Sequence, residues 1–208
     1  MIALRKLFVS SRPISWVNTA FPFAAAYFFT VQQVDWVLVI GTLFFLIPYN
    51  LLMYGVNDVF DYESDLRNPR KGGIEGALLD PKYHRLTLWW AFALSAPFAL
   101  VLSFVNPIAT GWLWLTLFAV VAYSLKGLRY KEVPFLDSFT SALHFVGPML
   151  VGLTMAEANL ASPALQIAIA VFLIWGMASH AFGAVQDVRA DRDAGIASIA
   201  TRLGANKT

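Results

Sequence analysis

The chain has 208 residues, of which 58% are hydrophobic and only 13% are charged, and its formal net charge is +2. Soluble domains usually carry about 25% charged residues, so the composition indicates a membrane protein, and the small net charge gives no reason to expect a nucleic-acid partner. The absence of cysteine excludes disulfides, thiolate metal sites and cysteine nucleophiles.

Six apolar stretches approach the length of about 20 residues that a helix needs to cross a bilayer. In chain order they run roughly from Ile14 to Val31, Trp36 to Val56, Leu86 to Val105, Ile108 to Leu125, Phe135 to Met155 and Ala164 to Val185. Four contain an internal proline, which transmembrane helices tolerate because neighbouring helices bond the freed backbone groups. The sequence therefore predicts an all-α fold, a polytopic transmembrane helical bundle with six spans.

The charged residues lie in alternate linkers. The amino terminus, the linkers after the second and fourth spans, and the tail contain all fifteen Lys and Arg residues. Positive residues near span ends stay on the cytoplasmic side, so both termini are predicted to be cytoplasmic. Eleven of the thirteen acidic residues gather on the same side, Asp35 and Glu157 being the exceptions. Acidic residues contribute little to orientation, and their grouping therefore asks for a functional explanation.

The second predicted span runs directly into the segment "NDVFDYESD", Asn57 to Asp65. If the helix continues through it at about 100° per residue, Asp58, Asp61 and Asp65 fall about 100°, 40° and 80° from Asn57. These four oxygen-bearing side chains would then share one face of the helix.

A second acidic cluster follows the sixth span, in "QDVRADRDAG". Asp187 and Asp191 are four residues apart and so about 40° apart on a helix, whereas Asp193 points to the far side. Two acidic helix ends at the same membrane surface can face each other across a cavity.

Other polar side chains lie within or near the spans. Asn50 and Tyr54 extend the face of the first cluster into the membrane, and His180 shares the face of Asp187. Polar residues inside a membrane are functional candidates by default, and this applies to His144 as well. Each histidine could instead simply bond a neighbouring helix.

Carboxylates packed on one face repel each other unless a positive charge lies between them. Mg²⁺ suits such a site, because it takes oxygen ligands, keeps several waters and commonly bridges carboxylates to substrate phosphates. Basic residues could bind the remaining phosphate oxygens: Arg67, Arg70 and Lys71 after the second span, and Lys126, Arg129 and Lys131 after the fourth. Each of them could instead set the topology or anchor a lipid headgroup. The pattern predicts a metal–diphosphate site at the cytoplasmic mouth of the bundle. The alternative is an ordinary charged membrane border.

Three segments, in order along the chain, resemble the motifs of a known family. "NDVFDYESD" resembles the first aspartate-rich motif, N-D-x-x-D-x-x-x-D, of the UbiA superfamily of intramembrane prenyltransferases, and "DVRADRDAG" resembles its second, D-x-x-x-D. "YSLKGLRYK", Tyr123 to Lys131, is similar to the Tyr- and Lys-bearing segment between them. "NPRKGG" looks most like the carotenoid branch, the lycopene elongases.

The resemblance implies a role for each matching residue. The implied metal ligands are Asn57, Asp58, Asp61, Asp65, Asp187 and Asp191, and the implied diphosphate ligands are Arg67, Tyr123 and Lys126. Asp61, Asp191 and Lys126 would be the catalytic residues, and Asn50, Tyr54 and His180 would lie in the cavity.

The implied reaction is Mg²⁺-dependent transfer of a prenyl group from an allylic diphosphate, such as dimethylallyl diphosphate, to a lipophilic acceptor such as lycopene. It would take place in the bilayer of a prokaryotic plasma membrane, with the site toward the cytoplasm. Within the same class, a quinone-precursor or lipid-ether prenyltransferase is the alternative. A divalent-cation transporter subunit and a non-catalytic partner of another chain's bundle are alternatives of other classes.

Members of this family usually have nine spans, whereas the present sequence predicts six. We therefore expect residues 1–208 to form a single UbiA-like domain that lacks the last three spans. Either the sequence is a fragment or a truncated gene product, or another membrane chain supplies the closing helices. We do not expect this polypeptide alone to be active.

Overall fold

The structure is a computed structural model that describes residues 2–66 and 78–208. Within these ranges the regular secondary structure is helical throughout, which confirms the predicted all-α fold. The α-helices are α1 (Ile2–Ser10), α2 (Trp16–Val31), α3 (Trp36–Leu46), α4 (Pro48–Phe60), α5 (Tyr62–Asp65), α6 (His84–Leu102), α7 (Pro107–Ser124), α8 (Leu136–Met155), α9 (Pro163–Ala194) and α10 (Ile199–Leu203). Short 3₁₀ turns cover Pro13–Ser15, Pro81–Tyr83 and Tyr130–Glu132.

Six helical segments among the described residues are long and apolar enough to cross a membrane, as predicted. They are Ala3–Val31, Trp36–Phe60, Pro81–Leu102, Pro107–Ser124, Leu136–Met155 and Pro163–Arg189. The chain is therefore a multi-pass membrane protein by its helices. The cytoplasmic placement of both termini stays a prediction from the basic linkers.

The second span consists of two helices rather than one. Helix α3 ends at Leu46, Ile47 leaves helical geometry with φ −117° and ψ −65°, and Pro48 occupies the first turn of α4. A proline has no N–H to donate and fits best in the first turn, where that donor would be unpaired in any case. The helix that leads to the first aspartate-rich motif therefore begins inside the membrane, at Pro48.

Helix α8 forms the centre of the bundle. Of the most apolar 18-residue stretch of α8, 72% is buried, against 17% for the corresponding stretch of α9. Helix α8 packs against α2, α7 and α9. Two glycines permit the close approach: a Cβ on Gly152 would lie 2.6 Å from the Phe23 carbonyl oxygen, and one on Gly147 would lie 2.6 Å from Thr116. Because α8 packs against three helices, the side chains of its amino-terminal half can reach the space between them.

Helix α9 extends well beyond the predicted end of the sixth span. It continues through Asp187 and Asp191 to Ala194, and Gly195, in the left-handed conformation with φ 70°, ends it. The chain then returns, so that Ile199 and Ala200 of α10 pack against the alanines of α9. This return fixes the second acidic cluster against the bundle.

Candidate functional site

A cavity of about 380 Å³ opens where α4, α5, α7, α8 and α9 come together. Both aspartate-rich motifs line it, as two acidic helix ends that face each other would require. The predicted site residues in its lining are Tyr54, Asn57, Asp61, Asp65, Tyr123, His180, Asp187 and Asp191. Their positions agree with the predicted site, and their individual roles stay predictions.

The first motif is fastened to α7 and to the turn before α8. Asn57 donates from Nδ2 to Asp61 Oδ2 at 2.6 Å and to Ser124 Oγ at 2.9 Å. Asp61, 4% exposed, forms ion pairs with Lys131 and, at 3.6 Å, with Arg129. Two cations therefore offset the cost of placing this carboxylate away from water.

The helix does not run unbroken through the first motif. Asp61 caps α4 with φ −102° and ψ 1°, and α5 begins at Tyr62. Asp65 nevertheless returns to the cavity, whereas Asp58 does not line it. Asp58 was already the member furthest in angle from Asn57, so it faces a different neighbour.

That neighbour is the end of α1. Asp58, 1% exposed, accepts a hydrogen bond from Ser10 at 2.8 Å and pairs with Arg12 at 3.0 Å. The Arg12 guanidinium also lies 4.2 Å from the centre of the Tyr54 ring, and Arg12 lines the cavity. Asp58 thus holds a cation at the cavity wall, although the sequence predicted it to be a metal ligand.

The second motif is held by the chain that returns after α9. Asp191 accepts a hydrogen bond from Ser198 at 3.2 Å. Burial raises the pKa of Asp191 above its ordinary value and the nearby Asp187 raises it further, while Ser198 and Lys131 oppose the shift. A cation placed beside this carboxylate would stabilise its charged form.

Asp137, in the first turn of α8, binds the same returning segment of the chain. It is fully buried and accepts from the backbone N–H of Ile199 at 2.7 Å, while its other oxygen accepts from Ser138. His180 Nε2 lies 3.7 Å from it. Asp137 therefore connects the first turn of α8 to the amino end of α10 and to a cavity-lining histidine.

Besides Asp58, two predicted site residues lie away from the cavity, and a third is outside the described residues. Lys126 is exposed and does not line the cavity, because α7 ends at Ser124 and Gly127 and Arg129, with positive φ, redirect the chain. Among the described lysines, Lys131 lines the cavity. Asn50 is fully buried and donates to Thr19 and to two carbonyls of α3, so it joins helices instead of lining the cavity. Arg67 lies outside the described residues, as do Arg70 and Lys71.

The groups around the cavity that could bind a metal include carboxylate and amide oxygens, which are the ligands of a hard cation such as Mg²⁺. Among the described residues, no three acidic or histidine side chains stand close enough to hold a metal ion by themselves. Mg²⁺ usually takes only one or two carboxylates and completes its shell with water and phosphate. The residues present therefore fit a metal that binds together with a diphosphate.

The sequence alone did not reveal the parts played by Asp137, Ser198 and Arg12. Asp137 is a single acidic residue at the start of a span, on the side where the other acidic residues gather. Its position could have indicated it as a candidate site residue. Arg12 acts through a contact with Asp58, 46 residues further along the chain, and no spacing rule predicts it. Ser198 reaches Asp191, seven residues before it, because the chain turns back at Gly195.

Comparison with known proteins identifies the family. The model of the UbiA prenyltransferase family matches residues 19–208. The chain is 58% identical, over 97% of its length, to a Dietzia protein named for the biosynthesis of C(50) beta-cyclic carotenoids, and 53% identical, over 99%, to a lycopene elongase/hydratase of Corynebacterium glutamicum. It spans about half (47%) of the first protein and 71% of the second.

Solved structures agree on the fold. A UbiA homolog from Archaeoglobus fulgidus, bound to DMAPP and Mg²⁺, superposes with a TM-score of 0.77 at 20% identity, covering 97% of this chain and 70% of that one. The same homolog bound to Cd²⁺ gives a TM-score of 0.73. From its two aspartate-rich motifs, its helical fold and the match across most of its length, the chain belongs to the UbiA prenyltransferase family.

Proposed function

We propose that the chain transfers a prenyl group from an allylic diphosphate, dimethylallyl diphosphate in the first instance, to a carotenoid acceptor such as lycopene. The observation that carries this proposal is the meeting of both aspartate-rich motifs and Lys131 at one cavity. The names of the relatives at 53–58% identity, which refer to lycopene and to carotenoids, support the choice of acceptor.

The residues around the cavity suit the departure of a diphosphate. Mg²⁺ would bind together with the diphosphate, with one or two carboxylate ligands from among Asp61, Asp65, Asp187 and Asp191 and with the Asn57 amide beside them. When bound, it neutralises charge that develops on the leaving group. Lys131 and Arg12, in the same wall, would bind the remaining phosphate oxygens. Each cation already pairs with a buried aspartate, which fixes it in place before substrate arrives.

One part of the cavity wall suits an apolar substrate. Met53, Tyr123, His144 and Phe145 line the cavity together with Ala184. Such a wall excludes water that would otherwise capture an allylic cation, and aromatic faces stabilise positive charge. We place the mouth of the cavity on the cytoplasmic side of a prokaryotic plasma membrane, because the basic linkers favour that orientation.

The test is expression of the complete gene in cells that make lycopene, followed by mass analysis of the pigments. We expect lycopene to gain dimethylallyl units with the wild-type gene and not with its Asp61→Asn variant. Glu63→Gln is the matched control: it removes a negative charge from the same motif at an exposed position outside the cavity lining, and it should behave as wild type.

The outcome also separates the alternatives. Unchanged lycopene would remove the carotenoid acceptor, and pyrophosphate release with a quinone precursor or a lipid ether would then identify the acceptor class. Metal uptake into vesicles without prenyl transfer would favour a transporter. Product that forms only when a second membrane chain is supplied would favour the bundle-partner hypothesis.

A further inference from the structure

Gly183 of α9 lies in the lining of the cavity. Apart from its chain neighbours and the backbone of its own helix, an added Cβ would meet no described atom within 4 Å. Glycine destabilises a helix relative to alanine, and membrane bundles usually place it where two helices approach closely. No described helix approaches Gly183 in this way, so the effect of its missing side chain is to leave space.

Another glycine of α9 shows which way this face of the helix points. Gly176 lies seven residues before Gly183 and so about 20° from it around the helix. A Cβ on Gly176 would lie 2.9 Å from the Cβ of Ala142, on α8. This face of α9 is therefore turned toward α8 and the interior of the bundle, and the space beside Gly183 belongs to the cavity.

The space beside Gly183 is open because α8 does not extend far enough to cover it. Ala142 of α8 lies beside Gly176. Asp137, in the first turn of α8, lies 3.7 Å from Nε2 of His180. The two helices thus run in opposite directions, and α8 has no earlier turn that could cover Gly183.

This space lies next to the residues of the proposed metal–diphosphate site. Gly183 precedes Asp187 by one helical turn, about 6 Å along α9 and about 40° around it. On α4, Met53 precedes Asn57 by the same interval, and all four residues line the cavity. Both helices reach their motifs from membrane-capable segments. A diphosphate bound at Asn57 and Asp187 would therefore have its organic group beside Met53 and Gly183.

From this geometry, and resting on the proposed function, we propose that Gly183 determines which prenyl donors the chain accepts. The space beside it holds the prenyl group that is attached to the bound diphosphate, and the missing side chain leaves the room that a branched group such as dimethylallyl needs. Gly183 acts by shape alone. A side chain at this position would compete with the prenyl group and not with the diphosphate.

The experiment measures ligand binding to the protein encoded by the complete gene, in nanodiscs with Mg²⁺, by titration calorimetry. One ligand is dimethylallyl thiolodiphosphate, whose bridging sulfur slows loss of the prenyl group, and the other is inorganic pyrophosphate, which has no prenyl group. The isobutyl group introduced by Gly183→Leu is nearly as large as a dimethylallyl group. We expect it to raise the Kd of the dimethylallyl ligand at least about tenfold, the scale of a one-methylene mismatch in an apolar pocket, and to leave the Kd of pyrophosphate within about twofold of wild type.

Two further variants complete the comparison. The methyl group introduced by Gly183→Ala fills only part of the space, so the Kd of the dimethylallyl ligand should lie between those of wild type and Gly183→Leu. Gly111, on α7, is exposed and outside the cavity lining, and an added Cβ there would also meet no described atom within 4 Å. Gly111→Leu is therefore the matched control, and both of its Kd values should equal those of wild type.

Three results would overturn the role of Gly183. A wild-type Kd for the dimethylallyl ligand in Gly183→Leu would mean that the prenyl group lies elsewhere. An equal rise of both Kd values would mean that the substitution disturbs the metal–diphosphate residues. Unchanged donor binding with a raised KM for the acceptor would assign the space to the acceptor. A wild-type protein that binds both ligands but transfers no prenyl group to any acceptor would instead refute the proposed function, and the binding comparison would still decide the role of Gly183.

Discussion

Removal of Asp137 should loosen the chain that holds the second aspartate-rich motif. Its carboxylate is fully buried and accepts from the Ile199 N–H at 2.7 Å, a hydrogen bond that joins α8 to the first residue of α10. In Asp137→Ala this backbone donor would remain buried without a partner, since Ile199 is itself 9% exposed. Ser198, next to it, would then hold Asp191 less firmly.

The magnitude follows from the charge on the acceptor. A hydrogen bond to a charged group contributes about 1.5–3 kcal/mol, so the free energy of locally opening α10 should fall by about 2 kcal/mol. With 1.4 kcal/mol for each factor of ten, amide exchange in this segment should accelerate about thirtyfold. Hydrogen exchange with mass analysis, on protein in detergent or nanodiscs, measures it on the peptide that contains Ile199.

The matched control is Asp193→Ala, which removes an exposed acid from the last turn of α9. Exchange at Ile199 should change less than twofold in this variant. If Asp137→Ala also left the exchange of this peptide within twofold of wild type, the carboxylate would not be what holds α10. Helix α10 would then be fixed by its apolar contacts with α9.

Three further predictions follow from single contacts. Lys131→Met should raise the KM for the allylic diphosphate at least about tenfold, the scale of one charge-assisted hydrogen bond. Lys126→Met, at an exposed position, should leave this KM within about twofold of wild type. Pyrophosphate release at varied donor concentration measures both values. Gly152→Val should destabilise the bundle by about 1–3 kcal/mol in thermal unfolding, because its Cβ would lie 2.6 Å from a carbonyl oxygen of α2, whereas Gly111→Ala, with open space around it, should not. Desolvation raises the pKa of Asp35, but a tyrosine hydroxyl and backbone N–H groups lower it by more, so its net pKa is below the ordinary value. Because Asp35 caps α3, Asp35→Ala should cost about 1 kcal/mol near neutral pH, and this difference should disappear as the pH falls through the folded-state pKa; an equal cost at every pH would refute the charged-cap explanation.

Much of the fold could be predicted from the sequence because bilayer thickness fixes span length. The six predicted apolar stretches correspond to six membrane-capable helical segments, and the prediction missed one internal break and one helix end. The second span contains a break at Pro48, and the sixth runs past Val185 to Ala194. A local pattern predicts neither feature fully. Packing against neighbouring helices decides whether a proline interrupts a helix, and it also decides whether a helix continues beyond its apolar stretch.

The members of the site could be predicted only where helix register carried the information. Asn57 and Asp61 are one turn apart and both line the cavity, as do Asp187 and Asp191. Asp58 shared their motif, but its position in the helix register places it against Ser10 and Arg12. The spacing within one helix is thus reliable, whereas the partner that each face meets is not encoded in that spacing.

The sequence by itself determined the class of the protein, its six spans, the two acidic helix ends and the family to which it belongs, because these depend on composition, length and local spacing. The tertiary structure decided which cation pairs with the acids of the cavity: it is Lys131, whereas Lys126 lies outside the lining. It also decided that Asn50 joins helices instead of lining the cavity. It also revealed the Asp137 connection to α10. These features depend on contacts between residues far apart in the chain, and such contacts exist only once the helices have packed.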